Sequence, residues 1–324
     1  MKIFRYNIHD ILLLESSREI LPPPFMVHEE FERPPDLKIQ IREDSFFLDK
    51  FDSAAEIMPG IFFRKKENLL VSRIPIFGFK CFLAIKDFDQ EEGVILSMNK
   101  SFVYLTQNII RLPFSSLFPL EHFLKLLIGL VLLKKEAVMV ISAAFRFREK
   151  NFMISAFGGI GKTTLTLEAY KKGDPEFKFL SDDTCLLYNR RVYSFPQKIR
   201  ERCGGPIYFS KLKYSNPTSI VGNCLNQNFI PDYLVFLERS NNFEIECIDP
   251  KSALYRLSSI TDKILPYRFE RHIAALDYIY GFSDEFAKRT RESLTQCLSV
   301  SGVVIRGKGD DYMKQLKHLA TQEN

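Results

Sequence analysis

Paired cysteines are missing from this sequence. Its six cysteines, Cys81, Cys185, Cys203, Cys224, Cys247 and Cys297, contain no C-x-x-C pair, and the five histidines are equally dispersed. No zinc site is spelled out, and the thiols read as reduced ones of a cytosolic protein. Long apolar runs are missing too. The most apolar stretch, Phe123 to Leu133, holds Lys125 and stops at Lys134-Lys135, far short of the roughly 20 residues that cross a bilayer. Near the start, Lys2 and Arg5 are followed by His9, Asp10, Glu15 and Arg18, which interrupt the apolar core that a secretory signal needs. An excess of charge of one sign is also lacking. The 45 basic and 40 acidic residues leave a formal +5, which gives little reason to invoke nucleic acid or an anionic membrane. There is no internal repeat and no low-complexity tract. These absences set the expectation of a cytoplasmic protein with neither a membrane nor a nucleic acid as partner.

What is present is a chain of 324 residues, 46% hydrophobic and 26% charged, long enough for two domains with a sizeable core. Residues 1–117 are expected to form the smaller, β-rich N-terminal domain, a scaffold or substrate-docking module. Tyr6 to Leu14 suggests one strand, Leu21-Pro22-Pro23-Pro24 forbids helix, and Leu37 to Ile41 alternates as a half-buried strand does. Short β-type pieces continue at Ile61 to Phe63, Leu69 to Ile74, Gly78 to Ile85 and Gly93 to Leu96. The composition shifts near Pro113 to Pro119, so the second domain is placed at 118–324.

In that second part, Leu120 to Leu133 has the length and apolar density of a buried helix, and Ala137 to Ser142 follows as a strand. Ala144 to Arg148 and Asn151 to Ala156 read as a hairpin turning at Glu149-Lys150. A helix from Lys162 ends at Lys171-Lys172 before Gly173 and Pro175, with cations in its last turn. Phe177 to Ser181 returns as a strand, and Thr184 to Tyr188 with Val192 to Phe195 forms a hairpin around Asn189-Arg190. Ser210 to Pro231 reads as a long loop. Tyr233 to Leu237 suits a buried strand, with Phe243 to Ile248 expected to pair with it across Asn241-Asn242. Helical patterns fill Ser252 to Leu257, Phe269 to Tyr280 and Asp284 to Leu298, and a last strand, Gly302 to Ile305, precedes a C-terminal helix.

The chemistry concentrates at Met153 to Thr164, an apolar strand running into a glycine-rich turn and a Lys-Thr that opens a helix, the sequence form of a phosphate-binding P-loop. Successive backbone N–H groups and a helix N-terminus offer partial positive charge to a polyphosphate, and small residues let it come close. The candidate nucleotide-binding residues are Gly158, Gly159, Ile160, Gly161, Lys162, Thr163 and Thr164, with Lys162 on the β/γ-phosphates and the Thr163 hydroxyl on Mg²⁺. The full pattern wants glycine where Ala156 stands.

One helix and one strand later come Asp182 and Asp183. A strand lying beside the P-loop strand would bring its C-terminal end to the phosphates, as in open α/β sheets. Side chains alternate along a strand, so both carboxylates reach one site only if the strand ends or bends there. One then holds Mg²⁺ and the other accepts the proton of an attacking hydroxyl. Asp182, Asp183 and Lys162 are the catalytic candidates, and Thr163 and Asp183 the metal candidates. Glu238, at the end of the strand Tyr233 to Leu237, is the competing acid and would serve a plain nucleotide hydrolase.

Ala156 to Thr163, followed by Leu180-Ser181-Asp182-Asp183, a hairpin and a proline, resembles the kinase domain of the HPr kinase/phosphorylase family, which shares its P-loop architecture with ATP-dependent PEP carboxykinases. The resemblance covers Leu120 to the C-terminus and implies an α/β fold of that kinase type. It implies ATP- and Mg²⁺-dependent phosphorylation of a hydroxyl, usually a serine of a protein or peptide. It places Gly159, Gly161 and Lys162 on phosphate, Thr163 on Mg²⁺, and Asp182 and Asp183 in base and metal roles. Lys198 to Gly205 occupies the region of a downstream charged cluster, with Arg200 a candidate for a phosphate or an acidic substrate, or simply part of an exposed basic face. The chain departs from the family at Ala156 and Gly158, and it has no histidine between His122 and His272. A relative acting on another target than HPr is therefore expected. A PEP carboxykinase-like small-molecule enzyme, a nucleotide-binding regulator and a hydrolase stay open, as does a homo-oligomer.

Overall fold

The structure, a computed structural model, describes residues 2–21, 25–76, 79–108, 120–157, 159–171, 176–195, 199–203, 211–215, 228–261, 270–298 and 300–321. Gly158, the polyproline run, Pro113 to Pro119, the helix stop at Gly173 and Pro175, Lys198, Gly204, Gly205 and most of the Ser210 to Pro231 stretch lie outside them. Among the described residues no helix is long and apolar enough to cross a membrane. The fold is mixed α/β, in two compact units: Met1–Lys135 with Leu265–Ala287, and Glu136–Ile264 with Lys288–Asn324.

In the first unit the strands are β1 Phe4–Ile8, β2 Leu12–Ser16, β3 Met26–Val27, β4 Leu37–Arg42, β5 Ala55–Met58, β6 Ile61–Arg64, β7 Leu69–Ile76, β8 Phe79–Lys86 and β9 Val94–Asn99. They form one sheet in the order β3-β1-β2-β4-β9-β8-β7-β6-β5. Tyr6 to Leu14 is thus not one strand but a hairpin, because His9 and Asp10 take φ of 55° and 60° and turn the chain back. Helices α1 Asp44–Phe51 and α2 Lys100–Asn108, which alternation alone does not announce, accompany this sheet. Phe47 of α1 stacks on Phe82 at 5.5 Å and buries itself against Leu69, Val71 and Ala84.

Helix α3 Leu120–Lys134 is grouped with this first unit, which runs to Lys135. Charge and packing hold the end of α3 there. Lys134 Nζ lies over the Phe88 ring and donates to the Gln90 carbonyl, and Lys135 pairs at 2.8 Å with Asp36, a fully buried carboxylate. Asp36 also accepts from Leu13 N and Arg33, so its charge is compensated within the unit.

The second unit is built on β10 Val138–Ile141, β11 Ala143–Phe147, β12 Lys150–Ser155, α4 Lys162–Lys171, β13 Phe177–Ser181, β14 Thr184–Tyr188, β15 Arg191–Ser194, β16 Ile199–Cys203, β17 Lys211–Ser215, β18 Tyr233–Arg239 and β19 Glu244–Ile248. The chain then forms α5 Pro250–Thr261, α6 Glu270–Tyr280, α7 Ser283–Cys297, β20 Gly302–Gly307 and α8 Gly309–Thr321, of which α6 and the start of α7, as far as Ala287, belong to the first unit. There Tyr280 packs on Phe88 and donates to Asn68.

The central sheet runs β13-β11-β12-β18-β20-β19. β11 is antiparallel to both β12 and β13, and β18 and β20 are parallel to β12, so β12, β13, β18 and β20 end at the same side of the sheet. β19 pairs with β20 and not with β18, because the parallel strand β20 occupies the edge of β18 that a hairpin would have used. Part of the expected loop at Ser210 to Pro231 is instead β17, paired with β16. One face of the sheet buries Phe145, Ile154, Phe179, Val235 and Ile305 against Leu165 of α4 and Tyr312 and Leu316 of α8. Behind β12, a smaller sheet β10-β14-β15 is tied on through Ser155 Oγ, which donates to the Ile141 carbonyl, and Ser142 Oγ, which donates to the Ile154 carbonyl.

Candidate active site

β12 is buried on both faces from Phe152 onward, which fixes where its C-terminal end points. The chain then turns sharply into α4. Gly159 and Gly161 take φ of 83° and 116°, conformations that side chains with a Cβ rarely adopt, and Leu165 N closes the first helical turn on the Gly161 carbonyl at 2.9 Å. The alanine at the first position has a physical account. Ala156 has no positive φ, so no glycine is required, and its side chain joins the core around Leu165 and Ile154. Its carbonyl accepts the Lys162 Nζ proton at 2.7 Å, folding the ammonium back over the turn.

β13 ends at Ser181, and Asp182-Asp183 form a bend before β14. β13 does not lie beside β12. The hairpin strand β11 sits between them, and the carboxylates still meet α4 because the two ends are on the same side of the sheet. The bend is pinned by Ser181 Oγ donating to the Thr184 carbonyl at 2.5 Å and by Ser142 N donating to the Asp183 carbonyl at 3.1 Å.

The bend lets the two neighbours take different positions at one site. Asp182 is buried, at 4% exposure, and accepts from Thr163 Oγ1 at 3.0 Å on one oxygen and from Thr166 Oγ1 at 3.2 Å on the other. Asp183, with its side chain 40% exposed, points an oxygen to within 3.9 Å of Lys162 Nζ. It is therefore Asp182, and not Asp183, that sits on the Thr163 hydroxyl. Burial, and secondarily Asp183, pushes the Asp182 carboxyl up to about 6, against the two threonine hydrogen bonds and Lys162. Burial also pulls the Lys162 ammonium below the usual lysine range, against Asp183 and then Asp182.

Thr166 was not singled out by sequence reasoning, although its spacing from Thr163 puts both hydroxyls on one face of α4. Thr164 is exposed and, with Ile160 and Gly161, borders a cavity on the other flank of the turn. Glu238 is drawn elsewhere. Its carboxylate pairs with Arg256 and, at 2.9 Å, with Arg306, in a cluster that Glu244 and Glu246 join. The Arg200 side chain lies outside the described residues. Among the described residues no group of three or more His, Cys, Asp or Glu side chains is arranged to hold a metal. Two hard oxygens, Thr163 Oγ1 and Asp182 Oδ2, stand 3.0 Å apart, close to the roughly 3 Å edge of an octahedron with oxygen ligands at about 2.1 Å. That pair suits Mg²⁺, which keeps several waters and takes few protein ligands.

Neither a protein-family model nor a curated protein sequence matches the chain. Among solved structures it is similar to the Hpr(Ser) kinase/phosphatase from Coxiella burnetii, with 10% identity and a TM-score of 0.26, over 56% of this chain and 96% of that one.

Proposed function

We propose that the protein is an ATP-dependent phosphotransferase that moves the γ-phosphoryl group to a hydroxyl, most simply a serine of a protein or peptide. The observation that carries this is the pairing of two adjacent carboxylates with the helix that opens the glycine-rich turn: Asp182 bound by Thr163 and Thr166, Asp183 beside Lys162. In this reading the turn from Gly158 to Thr164 cradles the phosphates, Lys162 leaves the Ala156 carbonyl to neutralise them, and Thr163 with Asp182 holds Mg²⁺. When bound, Mg²⁺ draws charge from the β- and γ-phosphate oxygens. The more exposed Asp183 faces the acceptor. Its carboxylate takes the hydroxyl proton as the acceptor oxygen bonds to the γ-phosphorus, and the bond to the bridging oxygen breaks with its electron pair leaving on ADP. The metal role thus passes from Asp183 to Asp182, since only the latter shares the Thr163 hydroxyl.

A hydrolase built on Glu238 is the weaker reading, because that carboxylate is engaged by two arginines. Incubation with γ-labelled ATP and serine-containing peptides or a cell extract distinguishes the classes. Labelled peptide is expected, and Asp183→Asn should lower its formation by about 10²- to 10⁴-fold with ATP binding retained. Release of free phosphate alone, or full transfer by Asp183→Asn, would overturn the assignment.

A further inference from the structure

The flank of the glycine-rich turn away from the carboxylates opens into a cavity of about 570 Å³. It lies where β18 and β20 end, and among the described residues of the glycine-rich turn Ile160, Gly161 and Thr164 line it. Its far wall is Arg239-Ser240-Asn241 and Gly307-Lys308-Gly309. These two loops are tied together by Ser240 N donating to the Gly307 carbonyl at 3.1 Å, and by Tyr312, whose hydroxyl lies 2.8 Å from the Glu238 carbonyl and 3.0 Å from that of Gly307. The wall is therefore built before any ligand arrives. The volume falls in the usual range for small-molecule sites, about 300–1,000 Å³.

Charge and position narrow the occupant. Among the described residues no carboxylate lines the cavity, while the cations Arg239 and Lys308 do. Neither makes a side-chain ion pair among the described residues. Around the start of α4, Thr163 and Thr166 face Asp182, whereas Gly161, Thr164 and Leu165 face the cavity. A ligand in the cavity thus continues directly from the backbone that would hold phosphate, and a hydroxyl acceptor, which must reach Asp183, belongs to the opposite flank. We infer that this cavity is the nucleoside subsite, taking the base and ribose of a nucleoside triphosphate, with Asn241 and Ser240 toward the base and Arg239 and Lys308 toward the ribose and α-phosphate. The inference rests on the phosphate-loop reading and adds a direction to it: the polyphosphate crosses the start of α4 with its terminal phosphate toward β13 and its nucleoside over β18 and β20.

Calorimetric titration of the full chain with MgATP and with magnesium tripolyphosphate tests this, in the parent protein and in Gly309→Trp. Gly309 lines the cavity and a Cβ there meets nothing within 4 Å, so a large side chain can be added at this wall without displacing backbone. ATP is expected to bind at least about tenfold more tightly than tripolyphosphate. Gly309→Trp should erase that advantage and leave tripolyphosphate affinity unchanged, and Asn241→Ala, at an exposed loop position, should reduce the advantage severalfold. Equal affinity for the two ligands, or an ATP advantage that survives Gly309→Trp, would overturn the nucleoside subsite while leaving the phosphate loop standing. Tripolyphosphate binding that is absent, or unaffected by Lys162→Ala, would overturn both.

Discussion

Asp182→Asn is expected to stabilise the folded protein and to remove its phosphotransfer. The Asp182 carboxyl is raised from 3.8 to about 6, chiefly by burial. Between about pH 4 and pH 6 the folded chain therefore keeps a proton that the unfolded chain has released. Stability falls as pH rises through that window, and the loss is complete above it. At about 1.4 kcal/mol per pH unit the window amounts to roughly 3 kcal/mol. An amide carries no charge and escapes this penalty. It offers one acceptor where the carboxylate offered two to Thr163 and Thr166, which takes back about 1 kcal/mol. It also leaves Lys162 with one neighbouring carboxylate fewer. A net gain of about 2 kcal/mol is expected at pH 8, and a loss of about 1 kcal/mol at pH 4, where the parent carboxyl is protonated and carries no charge penalty. Urea denaturation at the two pH values reads the difference directly. A variant less stable than the parent at pH 8, or a difference that does not change with pH, would refute the argument that buried charge at Asp182 is held against the stability of the fold.

Gly161→Ala places a Cβ on a residue at φ of 116° and is expected to destabilise by about 1–3 kcal/mol and to abolish tripolyphosphate binding, both measurable by thermal melting with and without ligand. Tyr312→Phe leaves the packed ring in place but strips the hydroxyl from the carbonyls of Glu238 and Gly307, for a loss of about 1–2 kcal/mol in chemical denaturation. At Gly302 a Cβ would meet Ile248 Cγ1 at 2.7 Å and Ala253 Cβ at 2.9 Å, so Gly302→Ala should overpack the junction of β19, β20 and α5 by about 1–3 kcal/mol, and Gly302→Leu by more.

The sequence by itself determined the local elements. Glycines at 159 and 161 before Lys162, an apolar strand ahead of them and an acidic pair after the next strand were legible because turn chemistry and side-chain alternation act over a few residues. Tertiary structure decided which strands are neighbours. β11 separates β13 from β12, and β20 separates β19 from β18, because strand pairing is settled by burial across the whole sheet and not by proximity in sequence. It also decided what each aspartate does. Alternation along an extended chain sends successive side chains apart, and only the bend after Ser181 lets Asp182 turn into the threonines of α4 while Asp183 faces Lys162 and solvent. Glu238 shows the converse. It ends a buried strand, where an acid beside the turn was a fair expectation, but Arg256 and Arg306 come from distant segments and engage it, which no reading of the strand alone could supply.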